Sequence, residues 1–338
     1  MLQNHLLKSL KNFNPNKVPI SLYIHLPWCE KRCPYCDFNI NTNKLDGDEE
    51  RLLAALNQDL QDSMKYIQKR KFCSVYFGGG TPSLVSSKII KRIIKNLNDM
   101  GHLKEECEIS FELNPKEVSH SYLNEIIAAG VNRVSIGIQS FDQGVLDSLE
   151  RNHSTNDSYQ AIKIASEFKN INISIDLIYA VMNQSIASLK QDIEIFCKNK
   201  IDHLSLYQLT IEPNTIFYKK ELNIPSDKTI ESMELAAKDI LNRNNIFQYE
   251  VSSWAKDSKV SKHNMNYWLY GDYLGIGPGA HSKITAKNSI TRMIKLKKVE
   301  SYINNPSKIT KVKVNDSSYD LDLAMNLLRI KNGTSFED

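Results

Sequence analysis

A chain of 338 residues can bury a large core, as one big α/β domain or as a domain with an extension. With 43 Lys and Arg against 39 Asp and Glu the net charge is +4, too small and too evenly spread for a nucleic-acid binder. No window carries the roughly 18 uninterrupted apolar residues of a membrane span. The polar, Asn-rich start at Met1–Lys17 also lacks the apolar centre of a signal peptide, so the chain reads as cytoplasmic.

A short apolar run at 21–26 reads as a strand, and Cys29, Cys33 and Cys36 follow it in the pattern C-x3-C-x2-C. A long helical pattern runs from Gly47 to about Lys69, then a strand at 72–77 ends in Gly78-Gly79-Gly80-Thr81-Pro82. The spacing predicts a helix over 86–99, a strand over 108–113 closed by Asn114-Pro115, and a helix from Ser119 to Ala129. A strand at 133–140 precedes helical segments at 142–150 and 155–168; a strand at 173–179 precedes a helix at 185–198. The sixth strand, 203–209, leads to a helix at 227–244. Beyond 245 the alternation stops. Tyr249–Trp254 reads as one further strand, followed by an aromatic, glycine-rich stretch from His263 to His281. The run Lys295-Leu-Lys-Lys298 reads as a solvated face.

Six βα units without a dinucleotide fingerprint after the first strand predict an α/β fold, a partial (β/α)6 TIM-like barrel with a C-terminal α+β extension. The expected division is a tail at 1–19, the barrel at 20–245 and the extension at 246–338. In such barrels chemistry collects where strands end. Here the cysteines end strand one, the glycines strand two, Glu112 strand three and Gln139 strand four, while Asp176 lies late in strand five. These positions read as one site. The glycines would let backbone approach a ligand closely, and a buried Asp176 would need a partner such as Arg151 or a ligand hydroxyl.

Clustered thiols in a chain without a leader point to a metal site in a reducing compartment, while Cys73, Cys107 and Cys197 read as small core residues. Three thiolates can hold three irons of a [4Fe–4S] cluster and leave the fourth open to a small chelator. The amino and carboxylate groups of S-adenosylmethionine suit that iron. The alternative is structural zinc with His25 as fourth ligand. In the later stretch, His263 is either a hydrogen-bonded histidine in an aromatic-packed turn or an axial ligand to haem iron.

These residues also carry a resemblance. Ser21–Cys29 with Cys33-Pro-Tyr-Cys-Asp-Phe38, Tyr76–Ser83, Glu112–Pro115, Gly130–Phe141, Ile175–Tyr179, Leu204–Pro213, His263–Trp268 and Gly271–His281 together resemble the radical S-adenosylmethionine proteins related to oxygen-independent coproporphyrinogen III oxidase. Within them the chain is most similar to the HemW-type haem chaperones. The resemblance spans about residues 20–282. It implies that Cys29, Cys33 and Cys36 hold the cluster. A first S-adenosylmethionine would touch Tyr23, Gly79 and Glu112, and a second Tyr35, Gly80, Thr81, Gln139, Arg151 and Asp176. The intact His-Asn-x-x-Tyr-Trp segment implies haem at His263. It further implies a haem-acceptor protein and a flavodoxin-type electron donor.

Phe38 stands where the coproporphyrinogen oxidases have a fourth cysteine, which favours the chaperone over a radical enzyme acting on a porphyrinogen. Two departures stand out. The family's Tyr-Gly-Leu-Pro-Gly-Gln after strand five is Tyr179-Ala-Val-Met-Asn-Gln184 here, which predicts an altered turn. The chain also stops soon after Leu328–Ser335, where the family continues, so it reads as truncated.

Overall fold

The computed structural model describes residues 14–333 apart from 200, 257–258, 288 and 315; most of the expected tail and the end of the extension lie outside the described residues. Six βα units form as expected. Strands β1 (Ile20–Leu26), β2 (Phe72–Gly79), β3 (Leu103–Leu113), β4 (Arg133–Gln139), β5 (Asn172–Tyr179) and β6 (His203–Gln208) lie side by side and parallel. Between them run α1 (Asp48–Ile67), α2 (Ser87–Asp99), α3 (His120–Ala129), α4 (Gln143–Ser148), α5 (Thr155–Ser166) and α6 (Ile186–Lys198), with α7 (Asp227–Arg243) after β6.

Residues beyond 245 continue the same sheet at both of its edges. At one edge a hairpin of β7 (Phe247–Glu250) and β8 (Ser253–Ala255) pairs antiparallel with β6, so the single strand expected at 249–254 is two strands that reverse at 251–252. After α8 (Lys262–Trp268), β9 (Asp272–Ile276) pairs parallel with β1 at the other edge. Strands β10 (His281–Ala286), β11 (Ser289–Lys295) and β12 (Ile309–Lys313) follow antiparallel, with α9 (Val299–Asn304) and α10 (Asp316–Leu327) completing the described chain. Among the described residues the 12-stranded sheet does not close on itself.

The helices form where the apolar spacing and caps require. In α2, Ile89, Ile90, Ile93, Ile94 and Leu97 are buried at helical spacing, each such side chain worth roughly 2 kcal/mol of burial. Ser119 caps α3, and Ser154 with Asp157 forms a reciprocal capping box on α5. Strands of a fully covered parallel sheet are usually continuous apolar runs. These alternate instead. Leu22, Ile24, Val75, Phe77, Phe111, Val134, Ile136, Ile175, Leu177 and Leu204 pack toward the helices in one large core. The residues between them (Tyr76, Ser110, Glu112, Ser135, Ser174, Asp176, Ser205) face a polar lumen.

The lysine run is corrected by the fold. Lys297 and Lys298 are exposed, but Lys295 is buried on β11 and paired with the equally buried Asp59 of α1. The turn after β5, where the family's glycines are replaced, bends through the left-handed region, with Ala180 at φ 61° and Asn183 at φ 62°. Asn tolerates that conformation; Ala carries about 1–2 kcal/mol of strain in it.

Candidate functional site

The cysteine loop leaves β1 and is tied at its neck, where Asn41 N–H donates to Pro27 O at 2.7 Å and Cys29 N–H to Asn41 O at 3.0 Å. Glycines make the next contact. Gly80 N–H donates to Leu26 O at 2.8 Å, and a Cβ on Gly80 would lie 2.5 Å from Trp28 O. The glycines thus let the end of β2 lie directly against the start of the loop, as well as lining the cavity. From the far end of the chain, Gly277 (φ 106°) and Gly279 (φ 75°) press on His25 and Asn39, whose amide donates to Pro278 O and Lys297 O. The glycine-rich stretch at 271–281 therefore braces the cysteine loop.

Two elements converge on the thiols. Thr81 Oγ1 donates to Cys29 Sγ at 3.4 Å, and Arg151 Nη1 donates to Cys33 Sγ at 3.4 Å and to the Tyr35 hydroxyl at 3.3 Å. Burial pushes the Cys29 thiol up, against the Thr81 hydroxyl, and Cys36 up to about 11, so a metal must displace those protons. His25 is not available as a fourth ligand. Its Nε2 lies 2.8 Å from Asn39 O and its Nδ1 3.1 Å from the Tyr23 hydroxyl, so both ring nitrogens are engaged. Among the described residues no three His, Cys, Asp or Glu side chains surround a point for a single ion; a cubane takes its three thiolates on three separate irons. Three free thiols on one cavity wall, with a guanidinium on one and a hydroxyl on another, fit such a cluster.

Cys29, Cys33, Tyr35, Cys36, Gly79, Gly80, Thr81, Glu112, Gln139, Arg151 and Asp176 all line one cavity of about 420 Å³ within the barrel mouth and lumen. Gln139 is held at φ 66° because Asp192 on α6 accepts from Ser140 Oγ (2.6 Å) and Phe141 N–H (2.7 Å) just after it. Asp176 accepts from Ser135, whose hydroxyl reaches both carboxylate oxygens at 3.0 and 3.2 Å, while the Arg151 hydrogen bonds go to Cys33, Tyr35 and Gly137 O. Burial raises Asp176 to about 6, against the Ser205 and Ser135 hydroxyls. Glu112 is pushed up to about 7 by burial, against the Tyr76 hydroxyl that donates to it at 2.8 Å.

Tyr23 and His263 open onto a second cavity of about 310 Å³, an aromatic groove completed by Phe38, Tyr76, Tyr267 and Trp268 and bordered by Gly79 and Glu112. The start of α8 is pinned by Glu108, which accepts from Lys262 N–H, His263 N–H and the Arg133 guanidinium. The His263 ring is oriented by a chain of bonds. Cys73 Sγ donates to Ile20 O and Ser74 Oγ donates to Ser21 Oγ at 2.7 Å, so the Ser74 oxygen is left to accept from His263 Nδ1 at 3.0 Å. That fixes the Nδ1–H tautomer and leaves the Nε2 lone pair without a hydrogen-bond partner among the described residues. Burial lowers His263 to about 4, so the ring is neutral near pH 7.

Tyr76, Ser74, Glu108 and Arg133 were not singled out from the sequence. For Ser74, Glu108 and Arg133 the signal is the alternation of serine or charge with Ile, Val, Leu and Phe in these strands, and Tyr76 shares the phase of Ser74.

The model of the radical SAM superfamily matches residues 23–196. The chain is 38% identical over 315 residues to the heme chaperone HemW of Buchnera aphidicola subsp. Schizaphis graminum, covering 92% of this chain and 83% of that protein. It is 38% identical over 267 residues to the heme chaperone HemW of Escherichia coli K12, covering 79% and 71%. Among solved structures, coproporphyrinogen III oxidase (HemN) from Escherichia coli superposes with a TM-score of 0.79 at 22% identity, over 97% of this chain and 79% of that one. That likeness establishes the partial-barrel fold. With its cysteine loop, lumen and aromatic groove in these places, the chain belongs to the radical SAM superfamily and, within it, to the HemW family.

Proposed function

We propose that the protein is a haem chaperone that carries a [4Fe–4S] cluster on Cys29, Cys33 and Cys36, binds S-adenosylmethionine in the lumen and haem at His263, and passes the haem to an acceptor protein. The observation that carries this reading is the His263 ring: neutral, fixed in one tautomer, with Nε2 left over beside a groove of Phe38, Tyr267 and Trp268. A neutral imidazole nitrogen with its other nitrogen hydrogen-bonded is the form that ligates iron. Aromatic walls suit the flat, apolar faces of a porphyrin.

Bound to the three thiolates, the cluster would supply single electrons to S-adenosylmethionine. The protein's own part is electrostatic and steric. Arg151 offsets negative charge at Cys33. Glu112 and Asp176 offer carboxyl acceptors in the lumen, Tyr35, Gly79, Gly80, Thr81 and Gln139 shape its walls, and Tyr23 lines the adjoining groove. A flavodoxin-type donor would reach the cluster from the open mouth. Phe38, 59% exposed and lining both cavities, presents a ring where a porphyrinogen-decarboxylating relative has a fourth thiol. This supports haem carriage over porphyrinogen chemistry.

The test is an anaerobic titration of reconstituted protein with hemin. A Soret band should develop in the wild type. His263→Ala should weaken it and keep the cluster absorption, and Cys33→Ser should lose the cluster absorption and keep the Soret band. A protein with an intact cluster and no Soret band would overturn the reading.

A further inference from the structure

The groove and the lumen share a wall, and Tyr76 stands in it, lining both. Its ring centroid lies 4.8 Å from that of His263, and the Tyr23 ring stacks on it at 6.3 Å. Its hydroxyl donates to Glu112 Oε1 at 2.8 Å, its one side-chain hydrogen bond among the described residues. One rigid side chain therefore touches the haem-ligating residue and the lumen carboxyl of the function proposed above.

We propose that Tyr76 is a positioning residue that couples the two sites, so that S-adenosylmethionine in the lumen strengthens haem binding at His263. The proposal rests on the haem-chaperone reading. The physical route is short. A ligand amine or hydroxyl beside Glu112 favours its carboxylate form, and an O–H···O⁻ bond is roughly twice as strong as a neutral one. The Tyr76 phenol is then held more firmly and its ring is fixed against His263. Haem arriving on a wall already ordered gives up less conformational freedom, which is positive coupling without displacement of the backbone. Thermodynamic linkage makes the effect reciprocal.

The test uses full-length protein with its cluster reconstituted and kept oxidised, so that S-adenosylmethionine is bound and not cleaved. Hemin Kd is measured by Soret titration with and without saturating S-adenosylmethionine, and the readout is the ratio of the two values. In the wild type hemin should bind about fivefold or more tightly with S-adenosylmethionine present, and S-adenosylmethionine should gain the same factor from hemin. Tyr76→Phe keeps the ring and removes the hydroxyl, and its ratio should fall to near one. Changes in either affinity alone cancel in the ratio. Glu112→Gln, which keeps an acceptor for the phenol without charge, should reduce the ratio as well, and guards against misfolding of the first variant. Hemin binding that S-adenosylmethionine leaves unchanged would overturn the coupling and spare the chaperone reading. A ratio undiminished in Tyr76→Phe would overturn the role of Tyr76. Absence of any Soret band would overturn both.

Discussion

Arg151 stands on Cys33, its Nη1 3.4 Å from a sulfur 118 residues away in the chain. A fixed cation beside a thiolate stabilises the more negative state of whatever that sulfur holds. Arg151→Met should therefore shift the midpoint potential of the reconstituted cluster to more negative values. Redox titration without S-adenosylmethionine checks this, and an unchanged potential would show that the guanidinium charge is not felt at the cluster.

Gly80 offers a structural counterpart. Its Cβ position is occupied by backbone, at 2.5 Å from Trp28 O and 2.8 Å from Pro27 O, and backbone cannot move aside as a side chain can. Gly80→Ala should cost about 1–3 kcal/mol or more in urea unfolding. It should also lower the iron content after reconstitution, because the displaced segment leads directly into Cys29.

The Asp59–Lys295 pair is a third case. Tyr302 donates to Asp59 at 2.7 Å and Gly277 N–H to the Tyr302 oxygen at 3.0 Å, so this buried carboxylate anchors the glycine turn after β9 that presses on the cysteine loop. Lys295→Met strands the carboxylate and should cost roughly 3–5 kcal/mol. The double variant Asp59→Asn/Lys295→Met should recover most of that loss in chemical denaturation, since no buried charge remains.

Asp192 sets a pH dependence. Burial raises its carboxyl from 3.8 to about 7, against bonds from Ser140 and Phe141. Between those values the folded chain keeps a proton that the unfolded chain releases, so stability should fall as pH rises across that window and level off above it. The slope is at most about 1.4 kcal/mol per pH unit from this one group. Asp192→Asn should flatten it, as read from urea midpoints at a series of pH values.

The sequence by itself determined the six βα units, the cysteine loop, the strand-end positions of Glu112 and Gln139 and the late-strand position of Asp176. Parallel strands joined by helices must all point one way, so their ends meet at one mouth whatever the detail. The phase of alternation along each strand was equally legible, since serines recur between apolar residues, and it marks the lumen face.

Pairings made across long stretches of chain were decided only by tertiary structure. Local pattern suggested Arg151 or a ligand hydroxyl for Asp176; the βα loops carry the Arg151 hydrogen bond to Cys33 and the neighbouring strand supplies Ser135. A run of lysines looks solvated until β11 folds Lys295 against α1. The tautomer of His263 depends on Ser74, 189 residues earlier, and on the bond that Ser74 makes to Ser21. Periodicity records which face a residue takes. Which partner waits there is set by register and by how the sheet curves, and neither is written in local sequence.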